Sequence, residues 1–321
     1  MAMISEVPGA SAGPESGDGI TANGVSRSFG TVRAVEHMDF HAPAGKVTAL
    51  IGPNGAGKTT LLLMLASLLA PDEGTISVGG LDPLRQRTEV RGRLGWMPDT
   101  LGVWESLTAR EILTQMARFY RLPAQGIGQR VSEMLERVRL GGLADQPARV
   151  LSRGQQQRLS LARALIHDPS VLLLDEPASG LDPGSRVELR IMLRQLAAEG
   201  KAVVVSSHVL SELDEVADGA VFVNKGRTVR QQTTAQAAAE GRRYAISGPD
   251  AAALAAKLTE FGLTFRREDG RHPDVSLMLQ SDGDAERLLR DLVLAGVGIS
   301  SFAPATGALE ETYMNLEGEQ Q

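Results

Sequence analysis

The run Gly52-Pro53-Asn54-Gly55-Ala56-Gly57-Lys58-Thr59-Thr60 follows a continuous apolar stretch, Val47 to Ile51, and opens an apolar helical pattern. Few folds accommodate that sequence of events. The run matches G-x-x-x-x-G-K-[ST], with a buried strand before it and a helix after it, which is the context the motif requires. Glycines let the backbone bend so that successive N–H groups face inward, and the helix that follows presents its own unpaired N–H groups and its positive dipole end. Lys58 supplies a point charge for β- and γ-phosphates. The Thr59 hydroxyl is placed for Mg2+, which prefers hard oxygen ligands, and Thr60 can add a further contact. A dinucleotide fingerprint is the competing glycine-rich motif, but its G-x-G-x-x-G spacing is absent and a lysine points to a γ-phosphate. The expected ligands are a nucleotide carrying a γ-phosphate and Mg2+.

Other apolar runs extend the pattern. Val171 to Leu174 and Ala202 to Val205 read as strands buried on both faces of a parallel sheet. Helices are predicted from Lys58 to Leu69, from Gly154 to Ile166, and after Pro183, where proline stands at the helix start that tolerates its missing N–H. The architecture is α/β. Between about 88 and 149 the pattern turns helical, with apolar faces at Ile112, Met116 and Phe119 and at Val131, Leu135 and Val138, which predicts a helical insertion. Beyond 231 a strand near Tyr244, a helix over Leu254 to Phe261, strands near Phe265 and over Val275 to Leu279, a helix over Ala285 to Leu294 and a strand near Ile299 predict a small ferredoxin-like α+β domain over 232–321. Residues 1–19, rich in Gly, Pro, Ser and Glu, predict a disordered tail and not a signal peptide.

Composition removes several chemistries. The chain has no cysteine, so thiolate zinc sites, disulfides and cysteine nucleophiles are excluded. A net charge of −6 over 321 residues argues against a polyanion-binding surface, and nucleic acid is not an expected partner. The local basic cluster Arg85, Arg87, Arg91 and Arg93 reads as a solvated helix face tempered by Glu89. The longest apolar run, Leu61 to Ala70, falls short of the roughly 20 residues a spanning helix needs. The expected location is the cytoplasm.

Val171 to Leu174 ends in Asp175-Glu176-Pro177, which puts two carboxylates at the carboxyl edge of a buried strand, where open α/β sheets bind ligands. Asp175 is placed to hold Mg2+ and Glu176 to orient and polarise an attacking water, since phosphoryl transfer needs mainly positioning and charge stabilisation. His208 follows another such strand, after Ser206-Ser207, and could donate a hydrogen bond to a γ-phosphate. His37 and His41 lie in a predicted strand with no acidic cluster to complete a metal site.

Leu151-Ser152-Arg153-Gly154-Gln155-Gln156-Gln157-Arg158 lies just upstream of the acidic strand and resembles the signature motif of ATP-binding-cassette proteins. Read physically, Ser152 and the start of its helix form a second anion site, although an N-capped surface helix would look the same. The resemblance covers about 20–231. It implies a P-loop NTPase cassette with a mixed-sheet core and helical insertion, and an ATPase in which two cassettes, two copies of this chain or this chain and a close relative, stack head to tail around MgATP. Ser152, Arg153, Gly154 and Gln155 of one copy would then close on nucleotide held by Gly52 to Thr60 of the other. It further implies that Ser179-Gly180-Leu181-Asp182 communicates between the two sites, with Asp182 its key residue, that His208 is the switch histidine, and that Phe29 stacks on adenine with Val35 packed nearby. Ordinary core packing is the other reading of Phe29.

Two departures stand out: Arg153 replaces the usual first glycine, with its side chain expected to point outward, and Asp99, in Trp96-Met97-Pro98-Asp99, replaces a glutamine that reaches Mg2+. Asp99, the segment Gly102 to Thr108 and the ending Ala308 to Tyr313 are similar to ATPase subunits of bacterial exporters whose membrane subunit is a separate polypeptide, on the inner face of the cell membrane. Trp104 would then face that permease, or else be buried. Two other readings stay open here: a soluble cassette acting on nucleic acid or ribosomes, and an ATP-gated regulatory module with weak hydrolysis.

Overall fold

The computed structural model describes residues 19–100, 102, 104–207, 209–239, 241–267 and 274–318. In chain order the first half runs β1 (Ile20–Phe29), β2 (Val32–Ala42), β3 (Val47–Ile51), α1 (Lys58–Leu65), β4 (Glu73–Val78), α2 (Arg87–Arg93), β5 (Leu94–Met97), α3 (Ala109–Phe119), α4 (Ile127–Arg137), α5 (Arg153–Leu165) and β6 (Val171–Asp175). It continues with α6 (Pro183–Ala198), β7 (Ala202–Ser206), α7 (Leu210–Asp214), β8 (Gly219–Asn224), β9 (Arg227–Thr233) and α8 (Thr234–Ala239). The remainder is β10 (Arg242–Ser247), α9 (Ala251–Glu260), β11 (Arg266–Arg267), β12 (Val275–Leu279), α10 (Asp282–Leu294), β13 (Ser301–Pro304) and α11 (Ala308–Gly318).

A six-stranded sheet in the order β5-β6-β7-β3-β8-β9 forms the centre, parallel throughout except for the antiparallel β8–β9 pair. Both faces are covered, which is why its strands are apolar without alternation. Val171, Leu173, Val204 and Leu50 point into one core with Leu61, Leu62, Met64 and Leu65 of α1 and with the three-stranded antiparallel sheet β2-β1-β4. Leu172, Leu174, Val203, Val205 and Ile51 point into the other, shared with α3, α4, α5 and α6.

The expected helical insertion needs one correction. Leu94–Met97, inside that range, is a strand of the central sheet, paired with β6 from Leu94↔Val171 to Met97↔Leu174. Its shortness and its glycine hid it. Gly95 is required because a Cβ there would lie 2.3 Å from Ala164 O, where α5 crosses the strand. The helical pair α3 and α4 buries Ile112, Leu113, Ala117, Val131 and Leu135, but Phe119 is 68% exposed and meets Trp104, itself 41% exposed, edge to face. Helix α1 ends at Leu65, short of Leu69, because Ser67 turns the chain with a φ of 58°. Within the basic cluster, Arg91 donates to Ser67 and Arg93 to Gly79 O, so both guanidinium groups brace loops.

The last sheet has the order β11-β12-β10-β13, all neighbours antiparallel, with α9 and α10 supplying Leu254, Leu258, Leu288 and Leu292 to its core. That is the ferredoxin-like topology. Helix α11 leaves this unit: Leu309 is buried in the main core, and Asp214 at the end of α7 accepts the Leu309 and Glu310 N–H groups at 2.8 and 3.2 Å. Tyr313 and Leu316 line a small cavity together with Pro53 of the glycine-rich loop.

Candidate functional site

Strand β3 ends directly at Gly52, and two glycines of the loop are dictated by close backbone approach. A Cβ on Gly52 would lie 2.2 Å from Val223 O; one on Gly57, whose φ is 98°, would lie 2.6 Å from Ala34 O and 3.3 Å from Val35 Cγ2. Val35 is therefore fully buried beneath the loop and shapes it. Gly57 is the N-cap of α1 and no side chain caps that end, so no side-chain oxygen competes for the first amides of the helix. Four buried side chains of α1, Leu61, Leu62, Met64 and Leu65, anchor it, each worth about 1.5–3 kcal/mol of apolar burial. Pro53, Asn54, Gly55 and Thr59 are exposed, Thr60 is half-buried and Ala56 packs inward. The Lys58 ammonium donates to Gly52 O at 2.6 Å and Pro53 O at 3.1 Å. Burial holds its pKa below the usual lysine value, opposed by the nearby carboxylates of Glu176 and Asp175.

Those carboxylates arrive from the neighbouring strands. Asp175 closes β6, and the register Asp175↔Ser206 and Leu50↔Ser206 sets β6, β7 and β3 level at one edge. Thr59 Oγ1 donates to Asp175 Oδ2 at 3.4 Å, and Ser206 Oγ donates to Asp175 Oδ1 at 2.5 Å. The same Ser206 oxygen accepts the Glu176 N–H at 3.0 Å, while Gln157 Nε2 donates to the carbonyls of Glu176 and Pro177 at 3.2 and 2.9 Å. A hydroxyl and a carboxylate facing each other beside a phosphate-binding loop form an all-oxygen donor set of the kind that fits Mg2+ completed by phosphate oxygens. Ser206 and Gln157 are the residues that sequence reasoning passed over. A polar residue closing an apolar strand at the ligand edge was the available signal for Ser206.

Asp99 is exposed and stands two residues beyond β5, whose Met97 pairs with Leu174, so it borders the same edge next to Asp175. His208 lies outside the described residues; its neighbours are the end of β7 and the start of α7. Phe29 is 49% exposed at the end of β1 with the Arg27 guanidinium 5.2 Å from its ring, which rules out the core reading.

The signature segment forms a separate surface. Ser152 caps α5 in a reciprocal pair with Gln155: the Ser152 hydroxyl accepts Gln155 N–H at 3.3 Å and Gln155 Oε1 accepts Ser152 N–H at 2.9 Å. Gly154 packs against Leu181. Arg153 does not project freely outward. It lies across Gly180 and reaches Ser179 Oγ at 3.4 Å. Asp182 caps α6, accepting from Ser185 N–H at 3.1 Å and from its hydroxyl at 2.6 Å, and these bonds hold its carboxyl below the usual range.

Residues 35–179 match the family model described as ABC transporter. Along nearly the whole chain, the protein is 34% identical over 303 residues to the daunorubicin resistance ATP-binding protein DrrA3 of Streptomyces coeruleorubidus, covering 94% of this chain and 96% of that one. The chain belongs to the ABC transporter ATP-binding family. As a member it binds and hydrolyses ATP. The Nod factor export ATP-binding protein I of Burkholderia orbicola is 37% identical over 250 residues, which is 74% of this chain and 79% of that protein. Among solved structures, an ATP-binding subunit of an ABC transporter superposes with a TM-score of 0.63 at 27% identity, over 68% of this chain and 91% of the other. A dimeric ATP-binding cassette holding ADP and phosphate after hydrolysis gives 0.61 at 25% identity, over 67% and 98%. The ABC fold therefore agrees with the expected P-loop cassette, mixed sheet included.

Proposed function

We propose that two copies of this chain close head to tail around two MgATP and that hydrolysis drives a separate membrane subunit of an exporter. The observation that carries the hydrolytic part is the set Thr59, Asp175, Ser206 and Glu176, joined by hydrogen bonds at the sheet edge beside Lys58. Gly52 to Thr60 hold the triphosphate, with Phe29 stacking on the base. Thr59 and Asp175, with Asp99 beside them, hold Mg2+, which supplies Lewis-acid charge to the phosphates when bound. Glu176 orients the attacking water, and His208 contacts the γ-phosphate. Ser152, Arg153, Gly154 and Gln155 meet the nucleotide of the partner copy, an arrangement supported by the likeness to a dimeric post-hydrolysis cassette.

Export is supported by the relative named for Nod factor export, and by drug-resistance relatives matched along nearly the full chain. No helix among the described residues is long and apolar enough to cross a membrane. In this reading the pathway belongs to a permease, and the cassette sits on the inner face of the membrane. The exposed pair Trp104 and Phe119, with the Arg163 guanidinium 6.0 Å from the Trp104 ring, is the surface we assign to that contact.

The test is ATP turnover by the wild type and by Glu176→Gln, with size-exclusion chromatography in ATP. Glu176→Gln should hydrolyse slowly and accumulate as a nucleotide-bound dimer. Equal turnover by the two proteins would remove Glu176 from its role, and a monomer under both conditions would remove the head-to-tail pairing. Copurification with any membrane protein encoded beside this chain tests the exporter reading.

A further inference from the structure

Glu176 has a φ of 50°, in the left-handed region that costs a residue with a side chain steric strain. Side chains from two other elements grip its peptide groups on both sides. Ser206 of β7 accepts its N–H, and Gln157 of α5 donates to its carbonyl and to that of Pro177. Gln157 is 4% exposed, so its amide is a buried polar group facing those two carbonyls. It stands on the first turns of the helix that Ser152 caps, close behind the signature residues.

The same helix holds the far end of the Glu176 turn. Arg153 reaches Ser179 Oγ at 3.4 Å, and its Nε lies 2.5 Å from where a Cβ on Gly180 would stand. Gly154 touches Leu181 in the same way, 3.3 Å from that side chain to a Cβ placed on the glycine. One rigid helix therefore presents its exposed end outward and grips the segment from Glu176 to Leu181 with its next turn.

We infer that Gln157 is a positioning residue that ties the Glu176 carboxylate of a chain's own site to the position of α5, and so to the nucleotide that α5 meets in the partner copy. The inference rests on the roles proposed above for Glu176 and for the Ser152 to Gln155 segment. A helix moves as a unit, so a shift of its capped end when it meets the partner's nucleotide moves the Gln157 amide, and the carbonyl of a strained residue follows its donor. Each site thereby responds to occupancy of the other.

The experiment measures ATP hydrolysis against ATP concentration for the full chain and for Gln157→Met, which keeps the bulk and removes the donor, each alone and in a Glu176→Gln background. Misplacing a catalytic group by about 1 Å can cost about a hundredfold, so kcat should fall about 10- to 100-fold in Gln157→Met. KM for ATP should stay unchanged, the Hill coefficient should drop toward one, and the Glu176→Gln background should show no further loss. Wild-type kcat and cooperativity in Gln157→Met would overturn the inference. So would parallel changes in kcat and KM whose effects multiply with Glu176→Gln, the pattern of a merely structural residue. If Gln157→Met does not fold, Gln157→Asn, with the amide on a shorter arm, is read by the same criteria. A fast Glu176→Gln sinks the role of Glu176 itself, whereas a slow Glu176→Gln beside a fast Gln157→Met sinks the positioning role alone.

Discussion

The Ser206 hydroxyl donates to Asp175 Oδ1 at 2.5 Å and in the same position accepts the Glu176 N–H at 3.0 Å, so one side chain from β7 orients both members of the acidic pair. The bond to Asp175 leaves its other oxygen, Oδ2, facing Thr59. A single hydroxyl thus sets which oxygen points toward the phosphate loop.

Ser206 is itself fully buried, so Ser206→Ala removes both bonds where water does not readily replace them and takes away the acceptor of the Glu176 N–H. Loss of stability by about 1–3 kcal/mol is expected, read as a lower denaturant midpoint. The kcat for ATP should fall by more than KM rises, because the phosphate loop itself is untouched. Wild-type kcat in a folded Ser206→Ala protein would show that the acidic pair holds its geometry without this hydroxyl.

Gly55 and Gly57 both have positive φ, but only Gly57 is crowded: nothing lies within 4 Å of a Cβ on Gly55, whereas on Gly57 it would meet Ala34 O at 2.6 Å. Gly55→Ala should therefore cost only the backbone strain, about 1–2 kcal/mol. Gly57→Ala should cost more and also displace the start of α1. Titration with a fluorescent ATP analogue should show weaker binding for Gly57→Ala than for Gly55→Ala, and equal affinities would contradict the crowding argument.

His167 stacks on Tyr120 at 3.6 Å with the rings 5° from parallel, and its Nε2–H donates to Leu94 O at 3.1 Å. Burial pushes the imidazole down to about 4, opposed by that carbonyl and by Asp168, while Arg130 and Lys201 add to the depression. The unfolded chain binds this proton near 6.5, the folded one only near 4. Between those values the unfolded state holds more protons, so stability falls as pH drops from 6.5 toward 4. The melting temperature of the wild type should decline more steeply across that window than that of His167→Gln, and parallel curves would refute the assignment.

Asp214 caps α11 from another element, and a Cβ on Gly307 would overlap its carboxylate, 2.0 Å from Oδ2. Asp214→Ala should cost about 0.5–2 kcal/mol, the usual worth of such a cap. Limited proteolysis should then release the C-terminal helix faster than in the wild type while the rest of the chain persists. Unchanged cleavage would mean that Leu309 and the Gln232–Thr312 hydrogen bond, 2.7 Å long, hold α11 unaided.

Much of the site is carried by contiguous segments and is legible without a structure. Gly52 to Thr60 encode a strand end and a helix start, Asp175-Glu176 a strand end and Ser152 to Gln155 a helix start, each with its chemistry within a few residues, because local backbone geometry and capping depend on near neighbours. The continuous apolar strands announce a sheet covered on both faces for the same reason. Tertiary structure alone decided what crosses between segments. It placed Leu94–Met97 in the sheet beside β6, laid Arg153 over Gly180, left Phe119 exposed beside Trp104, sent α11 back to Asp214, and closed Ser206 and Gln157 around Glu176. Periodicity records that a residue is buried but not against what. Which carboxylate meets which hydroxyl follows from strand order and register, and those are settled only when the two cores pack.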